Sequence, residues 1–257
     1  MGIAEAIAIF AAGAAAGTIN TVVGSGSLIT FPTLLAFGFP PVVANVSNNV
    51  GLVPGNASAA WGYRRELTGQ RGRLLWLGIF SALGSVAGAA ALLALPASAF
   101  KLIVPVLILA SCVLVVVQPR LSARIAARRQ RDDRASRGDR GGPLLPAGIF
   151  GAAAYGGYFG AAQGVLVIAL LGTFLDETMQ RINGAKNVLV GIVNGVAAIV
   201  YIIFAPHISW IAVLLIAIGS TLGGVIGARI GRRLPPIALR IFIVVIGLIS
   251  AVRLIFF

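Results

Sequence analysis

Between Leu74 and Val117 the chain carries one charged residue, Lys101, and between Ile149 and Phe174 it carries none. One bilayer crossing needs about 20 predominantly apolar residues, and runs of this kind supply them. The rest of the chain agrees. Of 257 residues, 58% are hydrophobic and 11% charged, and the mean hydropathy is +0.98. Soluble domains carry about 25% charged residues. The net charge of +13, taken alone, points to nucleic acid or an acidic partner. Its placement argues otherwise, because the long apolar stretches leave no basic surface of the kind nucleic acid needs. We therefore expect an all-α polytopic membrane protein whose partners are the lipid bilayer and a small solute, with no nucleic acid.

Cys112 is the only cysteine, so neither an intrachain disulfide nor a thiolate metal cluster can form. The N-terminal segment carries Glu5 and no Lys or Arg, which is wrong for a secretion signal. It reads as a membrane segment.

The chain repeats itself. Shifted by 138 residues, Gly26 falls on Gly164, Asn45 on Asn183, Asn49 on Asn187, Asn56 on Asn194 and Tyr63 on Tyr201. Shifted by 139, Gly84 and Gly88 meet Gly223 and Gly227, Pro96 meets Pro235, Lys101 meets Arg240 and Ser111 meets Ser250. Duplicated halves are a common ground plan of secondary transporters. The first half, 1–117, divides into segments 3–23, 25–37, 42–62, 74–95 and 99–117. The second, 144–257, divides into 144–161, 163–175, 182–204, 208–229 and 236–257. An Arg-rich linker, 118–143, joins them, and Leu121 and Ile125 allow a short interfacial helix over 119–131.

Basic residues set the topology. If the short segments cross, each half has five crossings and the halves are inverted repeats. Loops 62–73, 118–143, 174–181 and 229–235 then share one face. With Lys186 and Arg240, that face holds 18 of the 20 Lys and Arg. If the short segments do not cross, there are eight crossings, and Arg229, Arg232, Arg233 and Arg240 lie opposite the linker. The positive-inside rule favours five plus five, with a cytoplasmic linker and both termini outside.

The stretch Gly24-Ser25-Gly26-Ser27-Leu28-Ile29-Thr30-Phe31-Pro32-Thr33-Leu34-Leu35 is followed by Gly38-Phe39-Pro40-Pro41 and Ala44-Asn45. A weaker copy runs from Gly160 to Asn187. In this motif, in length and in its tandem repeat, the chain resembles the sulfite exporter TauE/SafE family, also called the toluene sulfonate uptake permease family. The resemblance covers nearly the whole chain except the linker. It implies a multi-pass protein of the bacterial cytoplasmic membrane that moves small sulfur-containing or organic anions, such as sulfite, sulfonates or sulfoacetate. Ser25 and Ser27 interrupt the family's first glycine run, and Ala161, Ala162 and Gln163 occupy the second.

The short segments indicate the site. Thirteen helical residues rise only about 20 Å against a core of about 30 Å. Short interrupted segments in corresponding positions are the best sequence pointer to a transporter's binding site. Backbone N–H groups at such a helix start attract anions, and glycine permits close approach. Gly24, Ser25, Gly26 and Ser27 form the first candidate turn, and Gln163 and Gly164 the second. The alternative is that the glycines only permit tight packing. Asn20, Asn45, Asn48, Asn49, Asn183 and Asn187 flank the turns as candidate substrate-binding amides. Asn56 and Asn194 read instead as interhelical hydrogen-bonding groups. Lys186 aligns with Asn48 and is the one cation near the expected cavity, where it can balance an anion. The competing reading is that it snorkels to the basic face. Tyr155 and Tyr158 offer further donors or anchor at the interface. Gly84, Gly88, Gly223 and Gly227 read as close helix contacts.

Function divides into a secondary transporter, probed against a passive anion channel and an intramembrane enzyme. The single His207 sits in a short loop. The carboxylates Glu5, Glu66, Asp132, Asp133, Asp139, Asp176 and Glu177 all fall at termini or loops. No acid–base constellation lies in an apolar segment, so no enzyme, metal or cofactor is expected. A coupling relay has no obvious carboxylate carrier either. A homo-oligomer is compatible with all of this.

Overall fold

The computed structural model describes residues 1–131, 142–230 and 236–256, and all its regular elements are α-helices. They are α1 (Ile3–Val22), α2 (Ser27–Ala36), α3 (Pro41–Gly62), α4 (Arg71–Ala94) and α5 (Ala97–Arg131), then α6 (Leu144–Tyr158), α7 (Gln163–Phe174), α8 (Met179–Phe204), α9 (Trp210–Ile230) and α10 (Pro236–Phe256). Among the described residues, α1, α4, α8, α9 and the stretch Ala97–Arg120 are each long and apolar enough to cross a membrane. The short helices have 10 residues in α2 and 12 in α7. They rise about 15 and 18 Å.

Local chemistry sets the helix ends. Glu5 in the first turn of α1 accepts the Gly2 N–H at 3.0 Å. Pro41 stands at the first position of α3, where its missing N–H costs nothing. Thr178 caps α8 through the Arg181 N–H. Gly38, at φ +81°, ends α2. Two boundaries differ from the sequence expectation. The α6 helix stops at Tyr158 rather than 161, because Gly160 turns the chain at φ +79°. The α5 helix does not stop at 117 but continues to Arg131, so 119–131 is part of it and not a separate interfacial helix. Linker residues 132–141 and the 231–235 loop, with Arg232 and Arg233, lie outside the described residues.

The packing repeats as the sequence does. Helix α1 packs on α9 as α6 packs on α4, α3 on α9 as α8 on α4, α2 on α10 as α7 on α5, while α3 meets α8 and α5 meets α10. The halves therefore interlock rather than stand side by side. Small residues make this possible. A Cβ on Gly88 would strike the Ala154 carbonyl of α6, and one on Gly223 the Ala14 carbonyl of α1. Gly84 and Gly227 make the same close approaches, as expected for backbones in contact. Large apolar side chains point the other way. Leu102, Val106, Leu109, Val113 and Val116 on α5, and Ile211, Leu214, Ile218 and Leu222 on α9, recur at helical spacing and are exposed. These stripes face lipid.

Contacts between loops gather them at two ends. Arg73 and Arg181 both pair with Glu177, at 2.9 and 2.5 Å, and Arg181 also donates to the Thr68 carbonyl at 3.1 Å. At the other end, the Ser209 N–H donates to Ser47 at 2.9 Å. There a cavity of about 440 Å³ joins Gly38 and Phe39 to Lys101 and Ser250.

Candidate functional site

Each short helix starts where a long one breaks. After α1, Gly24 adopts φ +89° and its N–H donates to the Ile19 carbonyl at 3.1 Å. After α6, Gly160 adopts φ +79° and its N–H donates to the Tyr155 carbonyl at 3.2 Å. By conformation Gly160 is the counterpart of Gly24. The sequence register instead sets Gly26 on Gly164, because α7 is longer than α2.

The two helix starts meet. The Gly164 N–H donates to the Gly24 carbonyl at 3.0 Å, and a Cβ on either glycine would sit 2.5 Å from the other's Cα. Neither position tolerates a side chain. Gly26 packs so closely on α1 that a Cβ there would strike the Ala16 carbonyl. The positive ends of two helix dipoles thus abut in the protein interior. The amides at these starts are engaged within the chain. The Gly26 N–H donates to Asn20 Oδ1 at 3.2 Å, the Leu28 N–H to Ser25 O at 3.1 Å and the Gln163 N–H to Gly160 O at 3.3 Å.

Buried polar atoms without a hydrogen-bond partner lie next to this contact, at Ser25 Oγ and Gln163 Oε1 and Nε2, and on α3 and α8, at Asn49 Oδ1, Asn183 Oδ1 and Asn187 Nδ2. Such groups are few in folded proteins and each calls for an explanation. Ser27 is also buried, at the first position of α2. Asn48 Oδ1 accepts a short hydrogen bond from the Thr30 hydroxyl of α2. Asn49 Nδ2 donates to Asn194 Oδ1 at 3.4 Å, and Asn20 Nδ2 to Asn56 Oδ1 at 2.9 Å. Asn56 and Asn194 thus serve between helices, as their sequence context implied.

The broken ends expose last-turn carbonyls, which need donors. On α6, Asn45 Nδ2 donates to Tyr158 O at 2.9 Å and the Tyr201 hydroxyl makes a short bond to Gly157 O. On α1, Lys186 Nζ donates to Asn20 O at 2.7 Å and Thr21 O at 3.1 Å. Lys186 is fully buried, so it does not snorkel. Tyr155 is likewise held inside, bonded to Ala161 O at 2.6 Å and to Ser111 at 2.8 Å. The ring of Tyr158 packs against Phe100 at 5.8 Å. Sequence reasoning passed over Thr30 and Tyr201. The pairing of Tyr63 with Tyr201 in the repeat was the available signal for the second.

Among the described residues no three His, Cys, Asp or Glu side chains gather to hold a metal. Among the described residues, this interior offers helix dipoles, amides, hydroxyls and the Lys186 ammonium, a set suited to holding a solute. Broken helices packed in duplicate inside a bundle of lipid-facing helices define a membrane transporter. The chain belongs to the sulfite exporter TauE/SafE family, whose description matches residues 9–254. It is 25% identical over 248 residues to a "probable membrane transporter protein" of Haemophilus influenzae, covering 96% of this chain and 93% of that one. The "probable membrane transporter protein YfcA" of Escherichia coli is 23% identical over 244 residues, with 94% and 86% covered. The "probable membrane transporter protein ORF9" of a Sinorhizobium species is 24% identical over 246 residues, with 96% and 90% covered. No solved structure matches the chain. With its apolar helices and its family, the chain is a multi-pass protein of the cytoplasmic membrane.

Proposed function

We propose that the protein is a secondary transporter that exports small sulfur-containing or organic anions of the sulfite, sulfonate or sulfoacetate type. The observation that carries this reading is the meeting of two helix N-termini at Gly24 and Gly164, beside buried Ser25 and Gln163 atoms that lack partners. An anion entering there faces two positive dipole ends and finds hydroxyl and amide donors. The engaged amides describe a closed turn, and substrate binds when the turn parts. Asn187 Nδ2 supplies a further open donor, and Asn49 and Asn183, whose unpartnered atoms are oxygens, turn their amides to the anion.

Five-plus-five topology with inverted halves goes with this reading. The order of close approaches supports it, since Asn49, Asn56 and Tyr63 along α3 meet Asn194, Gly191 and Gly184 of α8 in antiparallel order, whereas eight crossings would set these two helices parallel. Export follows from charge. An inside-negative potential of 100 mV favours exit of one negative charge by about 2.3 kcal/mol. Counterflow in proteoliposomes with a panel of sulfite, sulfonates, sulfoacetate and chloride tests the reading. Exchange of at least one sulfur-containing anion is expected. Unitary currents in a planar bilayer would establish a channel instead.

A further inference from the structure

Lys186 is the only fully buried cation among the described residues, and none of the carboxylates there pairs with it. Two of its three donors go to the carbonyls of Asn20 and Thr21, in the last turn of α1. That turn is the negative end of a helix dipole, with acceptors that the helix itself leaves open. In transporters with discontinuous helices, such carbonyl ends coordinate the coupling sodium ion or proton. The repeat shows what the same place looks like without a charge. At the broken end of α6, the carbonyls of Gly157 and Tyr158 take neutral donors from Tyr201 and Asn45. Asn48, the repeat counterpart of Lys186, bonds Thr30 instead. One half thus carries a cation on its broken helix and the other does not.

We propose that Lys186 is a tethered counter-cation: its ammonium occupies the carbonyl end of α1 where a coupling sodium ion would otherwise sit, so the protein carries its anion without sodium. The proposal rests on the transporter reading. It assigns Lys186 to the cation place beside the anion and not to direct contact with substrate. The ammonium is held by two backbone oxygens on a helix that must shift for the turn at Gly24 to part. It therefore moves with that helix end, as a bound ion would.

The test reads cation binding alone, with no anionic substrate present, and so stands apart from the counterflow panel. Thermal unfolding of the purified wild-type protein is followed in sodium chloride and in choline chloride of equal ionic strength. No sodium-specific shift is expected. Lys186→Ala opens a space bounded by the same two carbonyls. It should gain a saturable rise in Tm with sodium, because a ligand that binds only the folded state stabilises it. Lys186→Met fills the space without a charge and should gain none. Counterflow by Lys186→Ala should be lost in choline and at least partly restored in sodium. A saturable sodium shift in the wild type overturns the proposal. So does a folded Lys186→Ala that ignores sodium, whatever its activity. Should Lys186→Ala fail to fold, the wild-type comparison, extended to sodium dependence of counterflow, decides alone: stimulation by sodium rejects the tethered cation and indifference supports it.

Discussion

Gly24 and Gly38 share a left-handed backbone, at φ +89° and +81°, and differ in their surroundings. An alanine at either position meets the left-handed penalty, about 1–2 kcal/mol. At Gly38 the added methyl enters open space, while at Gly24 it lands on the Gly164 backbone. Gly38→Ala should therefore lower Tm modestly and keep counterflow. Gly24→Ala should cost about 1–3 kcal/mol more in stability, the usual cost of overpacking, and abolish counterflow. Equal losses in the two variants, read by thermal unfolding in detergent, would remove the Gly24–Gly164 contact from the argument. At this scale the sequence reveals chemistry better than partners. A lysine in an apolar segment stands out, and so do glycines at the mouth of a short helix. What Lys186 bonds does not, because backbone carbonyls carry no signature in a sequence. The same limit hid the donation of Asn45 to Tyr158 and of Tyr201 to Gly157.

Elements are held by close backbones inside and by charge at their ends. Gly88 on α4 and Gly223 on α9 each stand against a carbonyl of the neighbouring helix, Ala154 and Ala14, whereas Gly151 on α6 has nothing within 4 Å. Gly88→Val and Gly223→Val should both push helices apart and lose folded protein in detergent. Gly151→Ala should be tolerated, with folded yield by size-exclusion chromatography as the measure. At the helix ends, Glu177 joins Arg73 of α4 to Arg181 of α8. Burial opposes its charge, but hydrogen bonds from Arg181 and Arg73 outweigh burial and hold its carboxyl below the ordinary 4.5. A depressed folded value means that the stabilisation is complete above 4.5 and is lost as pH falls through the folded value. Glu177→Gln should cost about 1 kcal/mol or less at pH 7, since such pairs near the surface are weak. The Tm difference from wild type should close as pH drops below 4.5. A gap that persists there would assign the loss to packing. Most helix bounds are legible in the sequence because hydropathy ends where a crossing ends. The α5 helix is the instructive miss. Polarity after Val117 ends a membrane crossing, but Ala, Arg and Gln are good helix formers and carry the helix to Arg131.

For the whole molecule, the duplication decides what the parts can do together. A half that pairs only with itself would leave the first helix of each repeat without its partner, since α1 needs α9 and α6 needs α4. The interlocked halves set both broken helices against each other at Gly24 and Gly164. If each half crosses an odd number of times, the two halves have opposite orientation and the basic loops share one side. Cysteine labelling in a Cys112→Ala background checks this, because Cys112 is the only native thiol and is buried. Arg65→Cys and Asp176→Cys are exposed positions in loops that meet through Arg181. Lys101→Cys and His207→Cys are exposed at the opposite end. A membrane-impermeant maleimide should reach the first pair only in inside-out vesicles and the second pair only in right-side-out vesicles. Labelling of Arg65→Cys and Asp176→Cys from opposite sides would break the shared face and mean that the short helices do not complete a crossing. Both short helices would then dip in from one face, and the two halves would lie in the same orientation.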